Sequence, residues 1–185
     1  MLEELKKCLK DEKKDNEIFD IVLYGSSVKG KEKPNDVDIL VIFEKGTLKE
    51  RLEKIQKIKK NIKIENKIDI KGILLKELFQ EEFFARSGVF LEGVSLIDGK
   101  QFANKIGFNN AVLFFHNLKD KTHTEKVKFN YLISGRGGNG ILKLMNGKQL
   151  APGVLQIPLT KSLEFETILN RNKISYYKIN VLIQK

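Results

Sequence analysis

The sequence predicts a mixed α/β (α+β) fold: a small mixed sheet flanked by helices, followed by a second small α+β domain. Two observations predict it. Short β-branched runs alternate with helical periodicity along the first hundred residues, and both texture and charge change near residues 101–110. The expected division is a first domain over 1–104 and a basic second domain over 105–185.

Leu2, Leu5 and Leu9 share one helical face, so a helix is expected from Leu2 to Lys14, ended by Asp15-Asn16. Ile18–Tyr24 reads as the first strand and Gly25-Ser26-Ser27 as a sharp turn. A lysine-rich loop through Pro34-Asn35 leads to a second strand, Asp36–Phe43. Thr47 with Glu50 three residues on forms a capping box for a helix whose apolar face is Leu48, Leu52, Ile55 and Ile58. A third strand is expected near 66–74, a helical stretch over 76–86, and a short helix or strand pair around Gly93 and Gly99. Beyond the boundary, AVLFFHNL, VLQIPL and ISYYKINVLI read as strands. THTEKVKFNYLIS and SLEFETILNRN read as helices, the latter capped by Ser162, with a glycine-rich stretch between the two helical segments.

Composition narrows the function classes. At 41% hydrophobic and 31% charged, the 185-residue chain can build a core, which excludes wholesale disorder. No apolar run approaches the ~20 residues that cross a bilayer, and the charged amphipathic N-terminus does not read as a signal peptide. A cytoplasmic protein without a membrane partner is expected. The single cysteine, Cys8, excludes an internal disulfide and a cysteine-based zinc site and reads as a buried thiol, and two histidines make a histidine-based metal site a poor expectation. Residues 1–100 carry 21 Lys+Arg against 20 Asp+Glu, whereas 101–185 carry 13 against 4, so nearly all of the net +10 lies in the second part. Clustered cations with few acids suit an anionic partner, nucleic acid first.

The stretch IVLYGSSVKGKEKPNDVDILVIF carries the chemistry. On a strand, Asp36 and Asp38 project to one face about 6 Å apart while Val37 and Ile39 turn to the other. Such carboxylates repel unless protonated or bridged, and hard oxygen ligands select magnesium, or manganese. Asp69, between Ile68 and Ile70 on the third strand, adds a third acid if the strands are neighbours. Three acids facing one way can hold two ions about 3.5–4 Å apart, the arrangement that stabilises attacking and leaving oxygens of an in-line phosphoryl displacement. The Gly25-Ser26 turn lets backbone approach a polyphosphate.

Gly25-Ser26, ten residues, then Asp36-Val37-Asp38 between apolar runs resembles the signature of the nucleotidyltransferase superfamily typified by DNA polymerase beta, in its minimal form, over residues 15–100. The resemblance implies Gly25 and Ser26 on the triphosphate of a nucleotide such as ATP. It further implies Asp36 and Asp38 as ligands of two magnesium ions and Asp69 as the third metal-binding acid, which helps activate the acceptor hydroxyl. Two departures stand out: Lys29 occupies the region where many minimal members carry arginine, keeping the charge but losing the bidentate fork, and Asn35 replaces the serine that often precedes the first acid.

In the basic part, Lys126, Lys128, Arg136, Lys143 and Lys148 with Phe129 and Tyr131 form a weaker nucleic-acid-binding expectation. The leading expectation is a metal-dependent nucleotidyltransferase moving a nucleoside monophosphate from a nucleoside triphosphate to an acceptor hydroxyl of RNA, protein or a small molecule. The alternative is a non-catalytic or regulatory binding module, antitoxin-like or nucleic-acid-binding, on the same fold.

Overall fold

The computed structural model describes residues 2–9, 12–28, 36–64 and 66–184. The chain divides into two compact units, Met1–Phe108 and Asn109–Lys185.

The first unit is built on a four-stranded sheet. Its strands are β1 (Ile18–Tyr24), β2 (Asp36–Phe43), β3 (Lys67–Leu74) and β4 (Val94–Ser95), in the order β3-β2-β1-β4. β1 runs antiparallel to both β2 and β4, while β2 and β3 are parallel. A parallel pair needs a crossover, and α2 (Leu48–Asn61) supplies it. The near-continuous apolar runs of β1 and β2 follow from burial on both faces. On one face Ile21, Leu23, Val37, Ile39, Val41 and Phe43 meet Leu5 and Leu9 beside α1 (Leu2–Cys8) and Ile58 of α2. On the other, Val22, Tyr24, Leu40 and Ile42 meet Leu78, Val89 of α3 (Arg86–Glu92) and Phe102 of α4 (Phe102–Lys105).

The capping box of α2 forms as its sequence predicts: the Thr47 side chain accepts from the Glu50 N–H at 3.3 Å, and the Glu50 carboxylate accepts from the Thr47 N–H at 2.7 Å. Gly72 lets that helix lie close on β3, since a Cβ there would stand 2.4 Å from Ile55 Cδ1. The expected apolar face is only half used. Ile58 is buried and Ile55 packs on the core, but Leu48 and Leu52 are exposed. The first helix also stops sooner than its pattern predicts, at Cys8, and a separate 3₁₀ turn covers Glu12–Lys14. Cys8 packs against the core without being fully buried. The helix expected over 76–86 is instead a 3₁₀ segment, Leu75–Phe79, with α3 starting only at Arg86. The Glu77 carboxylate accepts from the Leu74 N–H at 2.7 Å and from Arg51, holding a tight turn where apolar spacing alone suggests a longer helix.

The second unit follows the order β-α-α-β-β-α-β. Its elements are β5 (Phe108–Asn117), α5 (His123–Ser134), α6 (Ile141–Leu144), β6 (Lys148–Ala151), β7 (Val154–Pro158), α7 (Ser162–Arg171) and β8 (Ser175–Gln184). The sheet order is β6-β7-β5-β8. Apart from the one-turn α6, this is the split β-α-β arrangement of ferredoxin-like folds. Val112, Phe114, Leu155 and Ile157 face Phe129 and Ile133 of α5 and Phe165 and Leu169 of α7. α5 begins with a capping box, Thr122 with Glu125, that the T-x-x-E spacing contains. Ser162 is the first residue of α7, not its cap, and its side chain is buried.

No helix among the described residues is long and apolar enough to cross a membrane.

Candidate active site

The antiparallel register between β1 and β2 sets Tyr24 opposite Asp38, and the parallel register between β2 and β3 sets Asp38 opposite Asp69. Three side chains therefore line up across three strands at one end of the sheet, on the face that carries Leu40 and Ile42 further along β2. Alternation puts Asp36 on the same side as Asp38, at the exposed start of β2, while Val37 and Ile39 are fully buried on the other face. Asp69 alternates in the same way with Ile68 and Ile70, which pack on the opposite core.

Gly25 closes the site from β1. Its φ is +77°, a left-handed value that favours glycine, and a Cβ at this position would lie 2.3 Å from Asp38 Oδ2. The backbone of the turn thus passes directly against the carboxylate. Gly25–Ser27 is a single 3₁₀ turn, closed by the Val28 N–H donating to Gly25 O at 3.3 Å and by Ser27 Oγ donating to Tyr24 O at 3.1 Å. Ser26 sits at its centre, partly exposed. Lys29 and Asn35 lie outside the described residues.

Electrostatics mark the same place. The Asp38 carboxyl stands above the ordinary carboxylate range because it is partly buried and because the Asp69 and Asp36 charges face it; Lys71 opposes this with a weaker downward pull. The Tyr24 hydroxyl is pushed up to about 12, first by burial and then by Asp38 and Asp69. The cation at hand, Lys71, has its Nζ 3.8 Å from Asp69 Oδ2 and also lies over the Phe84 ring.

Among the described residues, no three His, Cys, Asp or Glu side chains converge closely enough to hold a metal ion by themselves. The donor chemistry at Asp36, Asp38 and Asp69 nonetheless fits a hard divalent cation, because every donor is a carboxylate oxygen and the mutual repulsion felt at Asp38 is what such a cation relieves.

Sequence reasoning passed over two groups here. Tyr24 ends a strand of apolar residues and reads as core until the register sets it opposite Asp38. Asp20 is fully buried at the other end of β1: its Oδ1 accepts from Ser95 Oγ at 2.7 Å and from the Ile21 N–H at 2.8 Å, and Lys105 Nζ lies 3.3 Å from Oδ2. Burial raises its carboxyl above the usual range against the pull of Ser95 and Lys105. Its chemistry is structural, tying β1 to β4 and α4.

Of the five basic residues expected at a nucleic-acid surface, Lys148 lies on the other side of the sheet from the two on α5. Lys126 and Lys128 lie on α5, Arg136 stacks over the Tyr131 ring at 4.7 Å, Lys143 donates to Asn139, and Lys148 starts β6 on the opposite side of the sheet from α5. The Gly135 and Gly140 amides donate to Tyr131 O and Ser134 O. His116 packs edge-on against Phe129.

A family model described as Polymerase beta, Nucleotidyltransferase matches residues 3–93, a span that contains Gly25, Ser26, Asp36, Asp38 and Asp69. No curated protein matches the chain. The match falls within the N-terminal unit, whose mixed sheet carries the paired acids beside a glycine turn, so that unit is similar in both sequence and architecture to a polymerase beta-like nucleotidyltransferase domain.

Proposed function

We propose that the N-terminal unit transfers a nucleoside monophosphate from a nucleoside triphosphate to an acceptor hydroxyl. The observation that carries this reading is the pairing of Asp38 with Asp69 across β2 and β3, on the face closed by the Gly25 backbone. Carboxylates that face one another at a strand end, against a glycine turn and only partly offset by Lys71, cost stability in the free protein and so point to use.

Asp36, Asp38 and Asp69 would hold magnesium, or manganese. Bound there, the metal supplies charge stabilisation of the phosphoryl oxygens and makes the acceptor hydroxyl more acidic. The chain's own groups divide the remaining work. Gly25 and Ser26 hold and orient the triphosphate through backbone N–H groups and the serine hydroxyl, with Lys29 adding a point charge. Asp69, exposed on the edge strand, faces the acceptor and takes part in removing its proton. The acceptor oxygen then forms a bond to the α-phosphorus as the bond to pyrophosphate breaks. Tyr24, protonated throughout the neutral range, keeps a hydroxyl donor beside the acids. The basic second unit recognises the acceptor.

The test is to incubate the protein with each labelled nucleoside triphosphate, magnesium and total RNA, beside an Asp36→Ala/Asp38→Ala variant. Label moves into an acceptor with the wild type and not with the variant. If no label transfers and titration shows no magnesium-dependent nucleotide binding, the enzymatic reading fails. Equal, salt-sensitive RNA binding by both proteins without transfer would make the chain a binding module instead.

A further inference from the structure

Within the second unit, helices cover one side of the sheet only. Phe114, Leu155, Ile157 and Tyr176 point toward α5 and α7, so the alternate residues point away from them. The register shows what that other side presents. Lys148 pairs with Gln156 and Gln156 with Leu113, a row across three strands, and one step along β5 Phe115 pairs with Val154. On the neighbouring strand β8, Tyr177 stacks on Phe115 with ring centroids 4.6 Å apart and planes within 2° of parallel. Tyr177 is 60% exposed and Ile179 48%, and within this unit no helix lies over them.

The charge on this sheet is one-sided. Residues 109–185 carry 12 Lys+Arg against 4 Asp+Glu, and the four acids, Asp120, Glu125, Glu164 and Glu166, are all outside the strands. Glu125 is held in the Thr122 cap, Glu164 pairs with Lys161, and Glu166 pairs with Lys178. β5 to β8 contain no carboxylate at all. An open apolar face with a flat aromatic stack and no negative charge is what a phosphate chain with unpaired bases can lie on.

We propose that this open face binds single-stranded RNA. One base stacks on the outer face of Tyr177, supported from behind by Phe115, and the strand crosses toward β6, where Lys148 meets a phosphate. Three strand spacings, about 14 Å, separate β8 from β6, enough for two or three nucleotides. Gln156, in the row between, offers an amide that can both donate to and accept from a 2′-hydroxyl, the group that separates RNA from DNA. A duplex has no unstacked bases to offer and is excluded. Of the basic residues expected from sequence, Lys126, Lys128, Arg136, Lys143 and Lys148, the site includes only Lys148, on β6. It names the acceptor of the transfer proposed above and rests on that reading for this role alone.

The experiment is fluorescence anisotropy with the full chain and a labelled, unstructured 12-nucleotide RNA, without nucleoside triphosphate, at salt from 50 to 200 mM. Tyr177→Ala weakens binding roughly 5- to 100-fold, while Tyr177→Phe, which keeps the ring, stays within about twofold. Ile179→Glu leaves the stack in place but adds a carboxylate to the face and also weakens binding. Lys148→Ala lowers the slope of log affinity against log salt by about 1. Arg171→Ala on α7 has no effect, and thermal melts check that each variant folds. The proposal is overturned if the wild type does not bind at 50 mM salt, if Tyr177→Ala and Ile179→Glu bind as the wild type does, or if duplex RNA or single-stranded DNA of the same sequence binds equally well. Because no triphosphate is present, failure here leaves the transfer chemistry standing. Normal RNA binding by Asp36→Ala/Asp38→Ala with loss of label transfer separates the two readings in the other direction.

Discussion

Asp38 and Asp69 are direct partners across the parallel pair β2 and β3. Like charges in paired strand positions are destabilising, so the metal-free protein carries a cost at the candidate site. Asp69→Asn is expected to stabilise the metal-free protein by about 0.5 kcal/mol at neutral pH in urea unfolding, while abolishing nucleotide transfer. Equal or lower stability would remove repulsion from the account. The pH dependence has a definite sign. The folded Asp38 carboxyl lies above its unfolded value, so the ionised folded state is disfavoured, and stability falls as pH rises from the unfolded value through the folded one. The gain from Asp38→Asn should accordingly be largest above the folded value and vanish below about pH 4.

Relief of that repulsion by a cation should be visible as heat stability. Magnesium at millimolar concentration is expected to raise the Tm of the wild type by a few degrees, and more with a nucleoside triphosphate present. The Asp36→Ala/Asp38→Ala protein should show neither shift. An identical response from both proteins would place the ion elsewhere.

Gly25→Ala tests the turn. The new methyl group meets Asp38 Oδ2 in a backbone conformation that alanine resists, so the strand end must shift. We expect a loss of roughly 1–3 kcal/mol in urea unfolding and a fall of at least tenfold in transfer. A variant with wild-type stability and rate would show that the turn is free to move.

Tyr24 reports the charge of the site from a distance. Its hydroxyl is held up to about 12, with burial the largest cause and Asp38 and Asp69 the next. Ultraviolet titration of the phenol groups should show one tyrosine ionising at about 12, and Asp38→Asn should move that midpoint downward. No movement would mean that burial alone sets it.

At the opposite end of β1, Ser95→Ala removes a hydroxyl that donates to buried Asp20 and accepts from the Ile97 and Asp98 N–H groups. Loss of a hydrogen bond to a buried charged group costs about 2 kcal/mol. Urea unfolding should show that loss while nucleotide transfer at saturating substrate stays unchanged, because the cluster touches none of the acids at the candidate site.

Much of the candidate site is legible in sequence because period-two alternation works at short range. It places Asp36 and Asp38 on one face without knowledge of their neighbours, and the same reasoning isolates Asp69 from Ile68 and Ile70. What alternation cannot supply is register. Tyr24 is in the site because the hairpin sets it opposite Asp38, and the length of the intervening loop leaves that pairing open in one dimension. Asp20 escapes notice for a related reason: its partners Ser95 and Lys105 are 75 and 85 residues away. The segment after β3 misleads for another cause. Its apolar spacing suits a helix, but Glu77 bonds back to Leu74 and tightens the chain into a 3₁₀ segment. The open face of the second sheet is hidden in sequence as well, since Phe115 and Tyr177 lie 62 residues apart and only the strand order makes them neighbours.

The position of β3 at the edge of its sheet has a consequence for solubility. An edge strand offers unpaired N–H and C=O groups to any passing chain, and a segment reading Ile-x-Ile-x-x-Ile-Leu is a hazard for such templating. Lys67, Asp69 and Lys71 alternate along that edge with opposite signs and expose their charges. Whatever its part in the proposed transfer, Asp69 thus guards against strand-to-strand self-association, and a variant that replaces it with an apolar residue is expected to aggregate, whereas Asp69→Asn keeps the edge polar.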